Sequence, residues 1–363
     1  MKATKSQRYT AFILFFLFSF SLISISAFAE GDSHDSHSKE FIPGEYIMHH
    51  VADAFEWHLA TIGETHITIP LPIILYSKTS GWHVFMSSKF DHGNTSYKNF
   101  RIAHHGENAG KIEQVDQHGE VIGLPLNLSI TKVIAGALFS VVLLLLIFVS
   151  AAKSARRRTG QAPKGIQNAV EPIIVFVRDE IAKPAIGDKK HEKFMPFLLT
   201  LFFFILLNNL MGLIPIFPFG ANVTGNIAVT MALALFTFAV TNLNGNKHYW
   251  KEIFNPDVPM WLKFPLPLMP IIELSGVITK PFVLMVRLFA NMMAGHMIVT
   301  VFISLIFIFG KLMGPAAGLA ISPVSIVFSI FILMLDLLVS FIQAYVFTLL
   351  SALYFGMAQA EHH

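Results

Sequence analysis

Between Phe194 and Asn246 the chain contains no Lys, Arg, Asp, Glu or His. A bilayer accepts such a stretch, because its hydrocarbon core is about 30 Å thick and about 20 apolar residues cross it as a helix. This stretch is too long for one crossing, and Pro215, Pro218, Gly220 and Asn222 punctuate its middle. It predicts two spans, about 195–214 and 226–244, joined by a short uncharged turn. Backbone groups find no partners in lipid, so spanning segments are helices or closed barrels. Composition extends the argument to the whole chain, which is 54% hydrophobic and 13% charged, against about 25% charged in soluble domains. The net charge of +3 gives no electrostatic footprint for nucleic acid. With no cysteine, disulfides and thiolate metal sites are excluded.

Other segments fall into place around that membrane core. Residues 1–29 read as a signal peptide: Lys2, Lys5 and Arg8 precede an apolar run that ends in Ala27-Phe28-Ala29. An uncleaved first anchor is the alternative. Residues 30–127 are polar and His-rich and read as an external domain. Tyr46–Ala60 suggests a short helix there, His66–Tyr76 with Trp82–Ser87 a hairpin, and Lys111–Val115 with Glu120–Ile122 a second hairpin. The pairs His49-His50 and His104-His105 raise a metal, but no spacing matches a zinc signature. No metal or cofactor is expected, and the histidines read as a pH-sensitive polar surface.

The membrane domain, residues 128–363, opens with Val133–Ala152, long enough for one span. Lys153, Arg156, Arg157 and Arg158 follow it and place that end in the cytoplasm. Ile166, Val170, Ile173, Val177 and Ile181 form one face of an amphipathic helix suited to the membrane surface. Ile271–Phe309 and Val324–Met357 are too long to cross upright, at ~58 Å and ~50 Å for 1.5 Å per residue. They predict two steeply tilted helices joined by a Gly- and Pro-rich loop, Gly310–Pro323. The expected fold is an all-α polytopic membrane protein of about five transmembrane helices. One surface helix and a small, mostly β, N-terminal domain complete it.

Ionisable groups inside those two helices carry the functional signal, since buried charges in a membrane usually mark ion pathways. Arg287 has no acid three or four residues away and keeps its charge at any workable pH. Glu273, Lys280 and Arg287 recur every seven residues, 20° short of two turns, and share a stripe with Asn291. Leu284 and Ala294 fall on the same stripe by spacing, and Phe289 half a turn away. A self-neutralising ion-pair ladder, or an arginine that snorkels, would explain the stripe without a pathway. His296 lies about 180° round the helix from Arg287. Ser325, Ser329, Asp336, Ser340 and Gln343 make one polar face on the last helix. In an antiparallel pair His296 and Asp336 can approach and relay protons.

The stretch PFVLMVRLFANMMAGH, Pro281–His296, resembles the signature helix of subunit a of F-type ATP synthases. The Pro-Phe-Leu-Leu-Thr-Leu-Phe-Phe-Phe run, Asn208-Asn209, Gly-Leu-Ile-Pro and Phe-Ile-Gln-Ala-Tyr-Val-Phe resemble the same family, over roughly residues 130–360. The resemblance implies a bacterial inner-membrane subunit with an enlarged external N-terminal domain and a cytoplasmic C-terminus. It implies partners: the c-ring, the subunit b peripheral stalk, other synthase subunits, protons and the lipid bilayer. It implies that Arg287 faces the rotor and separates two half-channels, with Gln343 opposite it. His296, Asp336, Asn291 and Gln343 would serve the external path, and Glu273 and Lys280 the cytoplasmic one. Here His296 comes first and Asp336 second, the reverse of members that have a carboxylate and then a histidine. No Gly-rich phosphate loop is present, so an ion-translocating, non-catalytic role is expected. A secondary transporter is the alternative; such folds often show internal repeats, and the two halves show no convincing one.

Overall fold

The computed structural model describes residues 53–360, apart from 63–64, 92, 94, 104–107, 109, 117, 119, 159–160, 215–219 and 255–267. The signal-peptide expectation, the His49-His50 and His104-His105 pairs, and Pro215 and Pro218 lie outside the described residues.

Among the described residues, eight short strands form the N-terminal part. β1 (Glu56–Ile62) pairs antiparallel with β2 (Thr65–Pro70). β3 (Pro72–Ser77) is the centre of a sheet ordered β4-β3-β8, with β4 Gly81–Met86 and β8 Leu126–Asn127. β5 (Phe100–Ile102), β6 (Ile112–Val115) and β7 (Val121–Gly123) make a third sheet. Two expectations change. The single strand His66–Tyr76 is split between β2 and β3, because Pro70 and Pro72 bracket Leu71 and proline offers no N–H to a ladder. The Tyr46–Ala60 helix gives way, over its described end, to β1, whose pairing with β2 overrides local propensity. The β3–β4 and β6–β7 hairpins form as the alternation indicates. Ile73, Leu75, Phe85, Phe90, Phe100 and Ile112 fill the core between them.

This part is tied to the first helix, α1 (Lys132–Arg157). Leu128 and Ile130 donate N–H bonds to the Ile74 and Pro72 carbonyls, continuing the β8 ladder at 2.9 and 3.1 Å. The Lys132 N–H reaches the Ala54 carbonyl at 2.8 Å, and the Val133 N–H reaches Asp53 Oδ1 at 3.1 Å. A helix leaves its first N–H groups unpaired, and here a segment 80 residues away caps them. Burial pushes the Asp53 carboxyl up, against the hydrogen bonds from Thr131, Val133 and Ala54.

The helical part follows the apolar runs. α2 (Ile166–Phe176) continues through a π-helical turn, Val177–Ala182, into a last turn, Lys183–Ile186. Of the expected apolar face, Val170, Val177 and Ile181 are buried and Ile173 is half-buried, while Ile166, the first helical residue, is exposed. On the opposite side Asp179 is held by Arg178 at 2.9 Å and Lys183 at 2.7 Å. The hydrogen bonds from Arg178 and Lys183 hold its carboxyl well below the usual range. α3 (His191–Leu213) is the most enclosed helix, with Leu198, Phe202, Phe204 and Ile205 fully buried. α4 (Ile227–Leu243) starts at Asn226, whose side chain accepts the Ala228 N–H. α5 (Lys247–Phe254) turns away from it by 105°.

α6 (Leu268–Met313) and α7 (Pro315–Gln359) have 46 and 45 residues, ~69 and ~68 Å at 1.5 Å per residue. The expected loop Gly310–Pro323 shrinks to Gly314, whose φ of 93° is a conformation that suits glycine. Pro315 opens α7 where its missing N–H costs nothing. Among the described residues α1, α3, α6 and α7 are long and apolar enough to cross a membrane, and α4 with α5 adds a fifth if that bent pair is one span. The protein is a polytopic, mostly helical membrane protein with a small β-rich region.

Contacts divide the chain into two compact units. One comprises Met1–Gly136, Pro215–Ala221 and His296–Ser329. In it, the Ser325 hydroxyl donates to the Phe302 carbonyl at 2.6 Å, and Phe302 stacks on Phe328. The other comprises Ala137–Ile214, Asn222–Gly295 and Ile330–His363. There Phe194 stacks on Phe355, and Phe202 meets Phe176 and Phe341.

Candidate functional site

Arg287 is exposed on α6, together with Val283, Val286, Ala290, Asn291 and Ala294. Leu284, Leu288 and Met292 form the packed side of the same helix. Leu284 therefore does not share the arginine's face: at 1% exposure it is core. Three residues advance a helix by about 300°, leaving a 60° offset that reaches the packed boundary. Among the described residues Arg287 makes no salt bridge. On the C-terminal side its exposed neighbours Ala290 and, one turn further, Ala294 are small, so another helix can approach the guanidinium closely from that side.

Glu273 and Lys280 are half-buried. The stripe drifts, since each seven-residue step falls 20° short of two turns. The Lys280 ammonium lies 5.5 Å from the centre of the Tyr354 ring, within cation–π range. Lys280 and Tyr354 line a cavity of about 20 Å³ with Thr237, Thr241, Asn242 and Tyr249, room for one water. Pro281, also at this cavity, has no N–H for the carbonyl of Val277 four residues earlier, which lines it too. Spacing gave no sign of Tyr354, because its partner is on another helix.

On α7 the polar face turns inward. Ser340 and Gln343 are buried and Asp336 is half-buried, while Leu335, Leu337, Leu338, Phe341 and Ile342 are exposed. The Asp336 carboxylate packs against Gly295: a Cβ there would lie 2.6 Å from Asp336 Oδ1. The Ser340 hydroxyl donates to the Asp336 carbonyl at 2.7 Å. Asn209 of α3 donates to the Ser340 carbonyl at 3.4 Å and accepts from the Thr224 hydroxyl at 2.6 Å. Asn209 and Thr224 are wholly buried. This polar cluster one turn from Asp336 was outside the site residues expected from sequence. Its signal was the uncharged amide pair Asn208-Asn209 inside an apolar run. His296 follows Gly295 directly and is half-buried, and its carbonyl accepts from Thr300 at 2.8 Å.

The arrangement thus offers an exposed fixed cation on a closely approachable helix face. A carboxylate seated against Gly295 and a lysine–tyrosine cavity lie elsewhere on the same two helices.

The family model described as ATP synthase A chain matches residues 135–356. A second model, described as a domain of unknown function, matches residues 46–128. ATP synthase subunit a 2 of Chlorobaculum tepidum is 36% identical over 93% of this chain and 79% of its own length. ATP synthase subunit a of Chloroherpeton thalassium is 43% identical over 65% of this chain and 68% of its own. That of Myxococcus xanthus is 41% identical over 69% and 80%. With a match across most of its helical part and relatives that it aligns with over most of their length, the chain belongs to the family of F-type ATP synthase a subunits.

Proposed function

We propose that this subunit translocates protons through the membrane sector of a rotary ATP synthase, and that Arg287 couples their flow to rotation of the c-ring. Protons enter from outside by a half-channel that contains His296, Asp336 and Asn291. Each passes to a carboxylate on the ring, rides the ring, and leaves through a cytoplasmic half-channel near Glu273 and Lys280. Asn209 and Thr224 extend the polar lining on the entry side. Gln343 belongs to the same entry path. The arginine attracts the deprotonated ring carboxylate by about 4 kcal/mol at 4 Å and an effective dielectric of 20. The same charge repels a proton that would cross without the ring. The subunit forms no bond of ATP itself, and its partners are the c-ring, the subunit b stalk and the other synthase subunits in a bacterial plasma membrane.

One observation carries this reading: Arg287 is exposed on the outer face of a long apolar helix, with Ala290 and Ala294 following it on that face and its packed side opposite. A charge kept for packing would be buried against a carboxylate. No observation favours the secondary-transporter reading. The test is Arg287→Ala in inverted membrane vesicles. ATP-driven proton pumping and proton-driven synthesis should fall to background, while the variant is recovered in the complex at the normal level. Synthesis at the normal rate from that variant would end the proposal.

A further inference from the structure

The β4-β3-β8 sheet is apolar on both faces. Along β4, Phe85 points to the core while Trp82, Val84 and Met86 are exposed, Trp82 by 62% and Val84 by 65%. Along β3, Ile73, Leu75 and Ser77 are buried and Tyr76 is exposed. The register sets Tyr76 opposite Trp82 on one side and Leu126 on the other, and Leu126 is 59% exposed. No outward position on the three strands carries a charge. An antiparallel sheet with one face in water ordinarily turns polar residues outward.

We propose that this outer face is a lipid-docking surface, lying on the headgroup region of the bilayer that α1 enters. Its attachment chooses the occupant. The Leu128 and Ile130 N–H bonds to Ile74 and Pro72 hold the chain on the sheet to within two residues of α1, whose first residue Lys132 bonds Ala54. Leu126 is six residues from Lys132, which holds it within ~20 Å of the point where the span begins. A tether that short makes contact with the membrane nearly intramolecular, so a modest apolar area is enough. The chemistry agrees. The Tyr76 and Trp82 rings pair with centroids 5.1 Å apart, and Trp and Tyr are the residues that favour the membrane–water interface. Lys78, exposed in the turn beyond Tyr76, is placed to meet lipid phosphate. The geometry requires the strands to lie along the membrane plane, with the chain bending between Ile130 and Lys132.

Site-directed spin labelling tests this on the full chain, reconstituted into phosphatidylcholine–phosphatidylglycerol vesicles. The chain has no cysteine of its own, so Val84→Cys, Leu126→Cys and Lys98→Cys each carry one label. The ratio of relaxation by oxygen to relaxation by a water-soluble nickel chelate should be several-fold higher at 84 and 126 than at 98. Brominated lipid should quench tryptophan emission less in Trp82→Phe than in the parent chain. Equal nickel accessibility at all three positions would put the face in water and overturn the proposal. Labels at 84 and 126 shielded from both reagents would mean that protein covers the face, a second copy or residues 30–52, and would overturn it equally.

Discussion

Arg287 and Leu284 are three residues apart on one helix, yet one is exposed and the other is core. The polar groups around them are placed with the same economy of angle. Gly295 shows how narrow the tolerance is. The Asp336 carboxylate occupies the space that a side chain at 295 would fill, and His296 is the next residue. Adding even one methyl forces the carboxylate or a helix to move, and overpacking of that kind costs about 1–3 kcal/mol. Gly295→Ala should therefore lower proton-driven ATP synthesis severalfold while the subunit still assembles and Arg287 stays untouched. Measured rates in vesicles with matched subunit content check this. An unchanged rate would mean that the seat of Asp336 against α6 has no bearing on proton flow. Sequence spacing reaches part of this picture. It indicates Arg287, His296 and Asp336, because an ionisable group within an apolar run stands out in one dimension. It gives no sign of Tyr354 or Thr224, whose meaning depends on partners across helices.

Elements divide in the same way. The two long helices follow directly from run length against bilayer thickness, and so do α1, α3 and α4. The connection between α6 and α7 does not. Gly and Pro density from Gly310 to Pro323 argues for a loop, whereas only Gly314 leaves the helical conformation. Pro315 stands at a helix start, and Pro323 is accepted within α7, as prolines in membrane helices often are. β1 was hidden for the opposite reason: pairing with β2 decided it. The π turn in α2 has no marker in its sequence. What run length leaves open, exposure along α6 supplies. If the Arg287 face meets the c-ring, single cysteines at Ala290, Asn291 and Ala294 should cross-link to the carboxylate-bearing ring helix. Cysteines at Leu284 and Leu288 should not, since those residues face the subunit's interior. Cross-linking at Leu284 as strong as at Ala290 would place the rotor on another face and remove the geometric basis for Arg287's role.

At the scale of the molecule the question is parity. Four described helices suffice in length to cross, and α4 with α5 decides whether crossings number four or five. The bend of 105° after α4 fits an α5 that lies along a membrane surface while α4 alone crosses. Its sequence, KHYWKEIF, carries the lysines and the tryptophan that anchor a helix at an interface. Read so, α4 crosses and α5 ends the crossing on the inner side. Basic residues support that side: Lys153 and Arg156–Arg158 at the end of α1, Lys189, Lys190 and Lys193 around the start of α3, Lys247 and Lys251 in α5. The tip between α6 and α7 carries Lys311 alone. The compact unit that contains the β strands also gathers His296–Ser329, the segment around the tip that this path turns outward. Five crossings put the N-terminal domain and the C-terminus on opposite sides. The expectation is a pattern of labelling by a membrane-impermeant maleimide in right-side-out vesicles. Lys98→Cys and Lys311→Cys should react at once, and Lys164→Cys and Ala360→Cys only after permeabilisation. Immediate reaction at 98 and 360 together, with 311 protected, would mean an even number of crossings, with α4 turning back. Glu273 would then lie near the outer surface and His296 toward the inner one, and the entry and exit sides assigned to them would exchange.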